Sequence, residues 1–163
     1  MLKKEVVLQC YEERILVRYT LLEGQGTTLL QFRPFLAFRS VREFTHENAA
    51  INREYHNVEN GIATCLYEGY PQLFMQFSKD NEFHYETYWY RGLEYPKEEN
   101  RGYHSDEDLY VPGYFEMKIR KGESIVFSGS TSEIKTSKLK RLFENEVEIR
   151  QPRDNFFHCL VNA

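Results

Sequence analysis

Apolar and polar residues alternate along most of the chain between residues 5 and 129, with the period of a half-buried β-strand. Turn-forming residues, such as those at 24–26 and 121–123, separate the alternating runs. The pattern predicts strands at residues 5–10, 14–22, 28–38, 62–67, 73–77, 83–90, 114–121 and 124–129. Short strands joined by turns predict a mainly β fold, an antiparallel β-sandwich.

Two segments carry helical signals instead. Ser40 and Glu43 have the spacing of a capping box, which predicts a short helix near residues 41–47. A second capping box, at residues 130–133, precedes apolar residues at helical spacing: Leu139, Leu142, Phe143 and Val147. The chain therefore divides into a predicted sandwich domain over residues 1–130 and a helical linker over residues 131–163. In the linker, Pro152 predicts the end of the first helix and Asp154 the cap of another.

Composition narrows the class of protein. The chain has 163 residues, which suits one domain, and 15% of them are aromatic, which favours strands. The net charge of -4 has no long run of either sign and argues against a nucleic-acid or polybasic membrane partner. No apolar stretch approaches the ~20 residues that cross a bilayer.

The cysteines indicate a compartment. Cys10, Cys65 and Cys159 are odd in number, far apart and without a C-x-x-C motif. They are interpreted as free, mostly buried thiols of a reducing compartment, and we expect the chain in the cytoplasm.

Candidate catalytic groups are few. Acidic pairs occur at residues 98–99 and 106–108, inside a polar stretch over residues 91–111 that is longer than a typical loop. Neighbouring acids in a loop do not provide the facing carboxylates of a glycosidase, so a solvated loop is favoured. The five histidines lack metal-ligand spacing. We predict no catalytic residue, no metal and no cofactor.

One segment suggests sugar binding. Residues 88–96 place aromatic rings beside charged groups, and sugars present apolar faces and hydroxyl edges that such a surface would match. The candidate substrate-binding residues are Trp89, Tyr90, Glu94 and Tyr95. The alternative is that these aromatic side chains fill the sandwich core or an interface with another domain.

Arg33 and Arg39 lie among apolar residues, and a half-buried guanidinium needs an acidic partner. Ion pairs that pin the polar stretch to the sheet are favoured over a substrate contact. Glu98 and Asp108 are the first candidate partners, and Arg101 belongs to the same group.

Three stretches match known motifs. Residues 30–39 read L-Q-F-R-P-F-L-A-F-R, residues 89–102 read W-Y-R-G-L-E-Y-P-K-E-E-N-R-G, and residues 107–115 read E-D-L-Y-V-P-G-Y-F. They resemble the motifs L-x-x-R-P-L-L-A-x-R, W-Y-x-x-x-E-Y-x-x-E-x-x-R-G and E-D-L-x-x-P-G-x-F in the N-terminal domain of bacterial and archaeal glycogen debranching enzymes. Order and spacing agree from about residue 2 to residue 130.

The resemblance implies a β-sandwich of the supersandwich type, as in glucoamylase N-terminal and galactose mutarotase-like domains. In that family the sandwich precedes an (α/α)6 barrel with amylo-α-1,6-glucosidase activity and the catalytic carboxylates. It implies a non-catalytic accessory domain that supports the barrel of the same parent chain and contacts α-glucan. Complete members carry a further N-terminal stretch, so we expect open sheet edges here. Such edges would pair with a second copy or be covered by the C-terminal helix.

Two other functions stay open. The chain could be an autonomous carbohydrate-active hydrolase or epimerase that uses loop carboxylates such as Glu98 or Asp108. It could also be a purely structural scaffold that binds no sugar.

Overall fold

The computed structural model describes residues 1–41 and 43–150. Its strands are β1 (Leu2–Leu8), β2 (Arg14–Leu21), β3 (Thr27–Phe32), β4 (Tyr55–Val58), β5 (Gly61–Thr64), β6 (Leu73–Phe77), β7 (Glu82–Glu94), β8 (Asp106–Arg120) and β9 (Ser124–Ser130). The helices are α1 (Pro96–Glu99) and α2 (Leu139–Ile149), the latter preceded by a 3-10 turn at Thr136–Lys138.

The strands form two antiparallel sheets. One has six strands in the order β1-β2-β9-β6-β5-β4, and the other has three in the order β3-β8-β7. This architecture confirms the predicted antiparallel β-sandwich. The alternating pattern identified most strands, β6 to the residue, but missed the short β4.

The core lies between the sheets. Phe77 of the larger sheet packs against Phe115 of the smaller one, with ring centroids 4.9 Å apart. Buried aliphatic side chains surround this pair: Ile62, Met75, Ile119 and Ile125. Each such side chain contributes about 1.5–3 kcal/mol relative to an exposed position, which makes this interface the main source of stability.

Helix α2 covers the outer face of the larger sheet. Its Leu139 and Phe143 pack on Leu16 of β2 and Val126 of β9. It lies on a sheet face, where it does not cover the free edge of β3 or β4 within the described residues. The helix starts later than the capping box at 130–133 suggests, because the Ile134 backbone is hydrogen-bonded in both directions to the Gln76 side chain at 2.9 Å.

The prediction of a short helix near residues 41–47 is wrong. Glu43 N donates to Ser40 O at 3.2 Å, but the chain then runs beside β8. Thr45 O accepts the Asp108 N–H at 2.7 Å, and the Glu47 N–H donates to the Asp108 carboxylate at 2.9 Å. These long-range bonds use the backbone groups that a helix would have needed.

About half of the long polar loop predicted over residues 91–111 is strand. β7 continues to Glu94 and β8 begins at Asp106, which leaves a connection over residues 95–105 that contains α1. Shifts in register between Tyr85 and Tyr88 and between Tyr90 and Leu93 bend this hairpin. The sequence missed the strands because bulges interrupt their alternation.

The cysteines differ from their predicted burial. Cys10 is exposed and Cys65 is partly exposed, and both are free thiols. Cys159, Pro152 and the helix predicted after Asp154 lie outside the described residues. Among the residues that are described, no helix is long and apolar enough to span a membrane.

Candidate functional site

A broad cleft of about 1030 Å³ opens between the segment after β3 and the α1 connection. The first wall carries Arg39, Val41, Glu43, Phe44 and His46; the second carries Tyr95, Glu98, Tyr103 and His104. A smaller hollow of about 350 Å³ continues from it past Asn48 towards Tyr67 and Tyr70. The cleft therefore combines aromatic rings with charged and hydrogen-bonding groups.

Glu107 holds the two walls together from below. Its fully buried carboxylate accepts hydrogen bonds from Arg39 through both Nε and Nη2, the latter at 3.1 Å. It also accepts hydrogen bonds from the Tyr95 hydroxyl at 2.7 Å and from the Thr45 backbone N–H at 3.3 Å. Burial alone would raise the pKa of Glu107, but these donors hold it below its ordinary value. The carboxylate is thus an ionised structural acceptor.

The aromatic floor of the cleft depends on this network. The rings of Phe44 and Tyr95 stack in parallel, with centroids 5.2 Å apart and 9° between planes. The Arg39 guanidinium also lies over the Phe44 ring, 5.0 Å from its centroid. Tyr103 stands at the rim and is 68% exposed, so its ring is free to meet a ligand.

Two further acids near the cleft are engaged by other groups of the protein. Asp108 accepts the backbone N–H groups of Glu47 and Gly92, each at 2.9 Å, and these bonds lower its pKa. Glu98 of α1 forms an ion pair at 3.1 Å with Arg101, which follows the helix. Both carboxylates shape loops that border the cleft.

The predicted arginine ion pairs have different partners. Arg39 pairs with Glu107, and not with Glu98 or Asp108. Arg33 contacts Glu86 of β7 at 3.5 Å and lies over the Tyr114 ring, 4.5 Å from its centroid. Arg33 therefore lies away from the cleft.

The predicted sugar-binding residues do not lie together. Trp89 faces the core and packs edge-on against Tyr110 at 5.6 Å. Tyr90 points to the opposite face of β7, where it meets Phe35 at 5.0 Å. Glu94 is exposed at the end of β7, and of the four residues only Tyr95 lines the cleft.

Sequence reasoning missed Phe44, His46, Tyr103 and His104 as members of the site. Phe44 lay in the segment assigned to a helix, and Tyr103 lies between Gly102 and His104 in a connection without periodicity. The motif stretches did point to the region, since Arg39, Tyr95, Glu98 and Glu107 come from three of them. Their convergence is visible only in the fold.

Comparisons with known proteins identify the family of the chain. The family model for the glycogen debranching enzyme N-terminal domain matches residues 1–126. No curated protein and no solved structure matches the chain significantly. The match spans more than half of the chain and includes the strands that build the cleft. The chain therefore belongs to the glycogen debranching enzyme N-terminal family.

Proposed function

We propose that this chain is a non-catalytic accessory domain of a debranching enzyme that binds α-glucan in the cleft between Phe44, Tyr95 and Tyr103. The observation that carries the proposal is the stacked pair of Phe44 and Tyr95 beside the exposed Tyr103 ring. Glucose rings present apolar C–H faces that stack on aromatic rings. Their hydroxyl edges match donors and acceptors such as those of His46 and Glu98, which line the same cleft.

The state of Glu107, Asp108 and Glu98 supports a binding role over a catalytic one. A glycosidase general acid needs a raised pKa and an accessible proton. The pKa values of Glu107 and Asp108 are lowered, and both carboxylates are occupied by donors from the protein. Glu98 is held by Arg101. Hydrolysis of the branch point is thus assigned to another part of the parent enzyme, an (α/α)6 barrel that the sandwich supports.

Titration with maltoheptaose, followed by backbone NMR shifts, tests the proposal. We expect saturable shifts at Phe44, Tyr95 and Tyr103, and their loss in Tyr103→Ala. Tyr90→Ala is the matched control, because Tyr90 is 47% exposed but lies on a strand face outside the cleft. Binding that is lost with Tyr90 and kept with Tyr103→Ala would place the sugar elsewhere. No shift at millimolar ligand would favour the scaffold function.

A turnover assay distinguishes the accessory domain from an autonomous enzyme. The chain alone should release no glucose from a branched dextrin, whereas an autonomous hydrolase would, with loss of activity in Glu98→Gln or Asp108→Asn.

A cytoplasmic location is proposed from the free thiols of Cys10 and Cys65. Fractionation of the parent cells tests it.

A further inference from the structure

The smaller sheet leaves one margin of the larger sheet uncovered. Tyr19 of β2 packs on Phe32 of β3 at 4.8 Å, so β3 lies above β2. Phe115 of β8 packs on Phe77 of β6, so the free edge of β3 faces the side on which β1 lies. Among the described residues, no strand of the smaller sheet lies above β1.

A mainly apolar groove runs from β2, beside this margin, towards the centre of the sandwich. It has a volume of about 300 Å³ and is lined by β2, β6, β9 and the segment after β3, with Ile15, Tyr19 and Phe35 among its apolar residues. Arg33 also lines it and is already paired with Glu86 at 3.5 Å. On β1, Val6 and Leu8 extend the apolar surface, because they pair with Val17 and Ile15 on the same face. Val6 is 52% and Leu8 65% exposed, which is unusual for the inward face of a sandwich.

The neighbouring edge of β3 is suited to strand pairing. Its sequence from Thr27 to Phe32 contains no charged residue and no proline, the devices that normally protect an edge. Within the described part of the chain, no backbone group of β3 bonds to anything except β8. A row of open donors and acceptors therefore runs beside an open apolar groove.

Lys4 determines the charge that an occupant must carry. It lies on the grooved face of β1 opposite Tyr19, with its ammonium 5.8 Å from that ring centroid. No carboxylate among the described residues forms an ion pair with it. A strand that covered Lys4 would remove its water, so the strand must supply a carboxylate. A second copy of this surface is a poor occupant, because it would bring another Lys4 to the same place.

We propose that the margin formed by the β3 edge and the Lys4–Leu8 face of β1 accepts an extended strand of a partner protein, alternately apolar and carrying one carboxylate. The strand pairs with β3, places alternate apolar side chains in the groove, and directs one carboxylate to Lys4. Main-chain bonds provide affinity in this mode, and the side chains in the groove provide specificity. The surface is separate from the sugar cleft, so its occupation does not depend on the proposed α-glucan function.

The test uses the 163-residue chain and two synthetic peptides of six residues, the length of β3. The peptides alternate valine and threonine, and one inward position holds glutamate in the first and lysine in the second. We expect the glutamate peptide to slow amide exchange in β3 and to bind about tenfold more tightly than the lysine peptide. Lys4→Glu should reverse this preference.

Val6→Asn should weaken binding of the glutamate peptide, because it removes apolar surface beside the groove without changing the charge, and the exposure of Val6 allows the fold to persist. Ile149→Asn is the matched control, since Ile149 is 41% exposed on α2 outside the groove. Three results would overturn the proposal. They are unchanged β3 exchange with both peptides, a preference that Lys4→Glu does not alter, and a peptide-free dimer that protects β3.

Discussion

The buried carboxylate of Glu107 binds the guanidinium of Arg39 in a bidentate ion pair that joins β8 to the segment after β3. The same carboxylate accepts the Tyr95 hydroxyl, so one acid fixes both walls of the cleft. Bidentate pairs of this kind have a defined geometry, which a lysine would not reproduce. The aromatic pair of Phe44 and Tyr95 is positioned by this contact.

Arg39→Met should destabilise the fold by about 3 kcal/mol, because it leaves a buried carboxylate with fewer donors. Urea unfolding at pH 7 measures the change. The double variant Arg39→Met/Glu107→Met should recover part of the loss, since both charges are then absent. Arg101→Met is the control and should cost less than about 1 kcal/mol, because its ion pair with Glu98 is exposed. Equal losses in the two single arginine variants would contradict a special role for Glu107.

Acid should weaken the contact between β1 and β2. The hydrogen bond from Arg18 lowers the pKa of Glu5 from 4.5 to about 2, and Arg18 in turn lies over the Phe143 ring of α2. A lowered folded pKa gives stability that is present above the unfolded pKa and lost as the pH falls towards about 2.

Glu5→Gln should therefore reduce the difference in unfolding free energy between pH 7 and pH 3 by about 1 kcal/mol, at the upper end for a partly exposed pair. Urea unfolding at both pH values gives this difference. Glu94→Gln is the control, because Glu94 has no ion pair among the described residues. An unchanged pH dependence in Glu5→Gln would show that the ion pair with Arg18 contributes nothing to folding.

Much of the sandwich could be predicted because residues such as Leu73, Met75 and Phe77 recur at every second position and supply the core face of β6. The partner of Arg39 could not be predicted from the sequence. Glu107 and Asp108 are neighbours that point to opposite sides of β8, so the strand decides which of them meets Arg39. Residues 106–108 were interpreted as a loop, where no such alternation applies.

The helix near 41–47 failed for a related reason. A capping box is a local signal, worth about 1 kcal/mol. Glu107 and Asp108 bind the backbone of Thr45 and Glu47 over a long sequence separation. Tertiary bonds to two strand carboxylates exceed the local preference, and nothing local to Ser40 reveals them.

Gly113 should be indispensable at the bulge of the long hairpin. Its φ is 147°, and an added Cβ would lie 2.1 Å from the carbonyl oxygen of His84 on β7. Gly113→Ala must therefore displace backbone and should cost about 3 kcal/mol or more. Gly102→Ala, at φ 76° with open space around the Cβ, should cost about 1 kcal/mol. Thermal unfolding of both variants compares them, and similar losses would exclude the close approach of β7 and β8.

Trp89 should act as a core residue and not as a sugar platform. Its ring packs on Tyr110, and its indole N–H is buried without a hydrogen-bond partner. Trp89→Phe should keep maltoheptaose binding unchanged and alter stability by less than about 1 kcal/mol, because the smaller ring also removes the unpaired donor. Trp89→Ala should cost about 3 kcal/mol through the cavity it leaves. Sugar titrations and urea unfolding of the two variants separate binding from packing. If Trp89→Phe is stable but no longer binds maltoheptaose, the sugar site lies on β7 at Trp89, and the cleft is not the site of the proposed function.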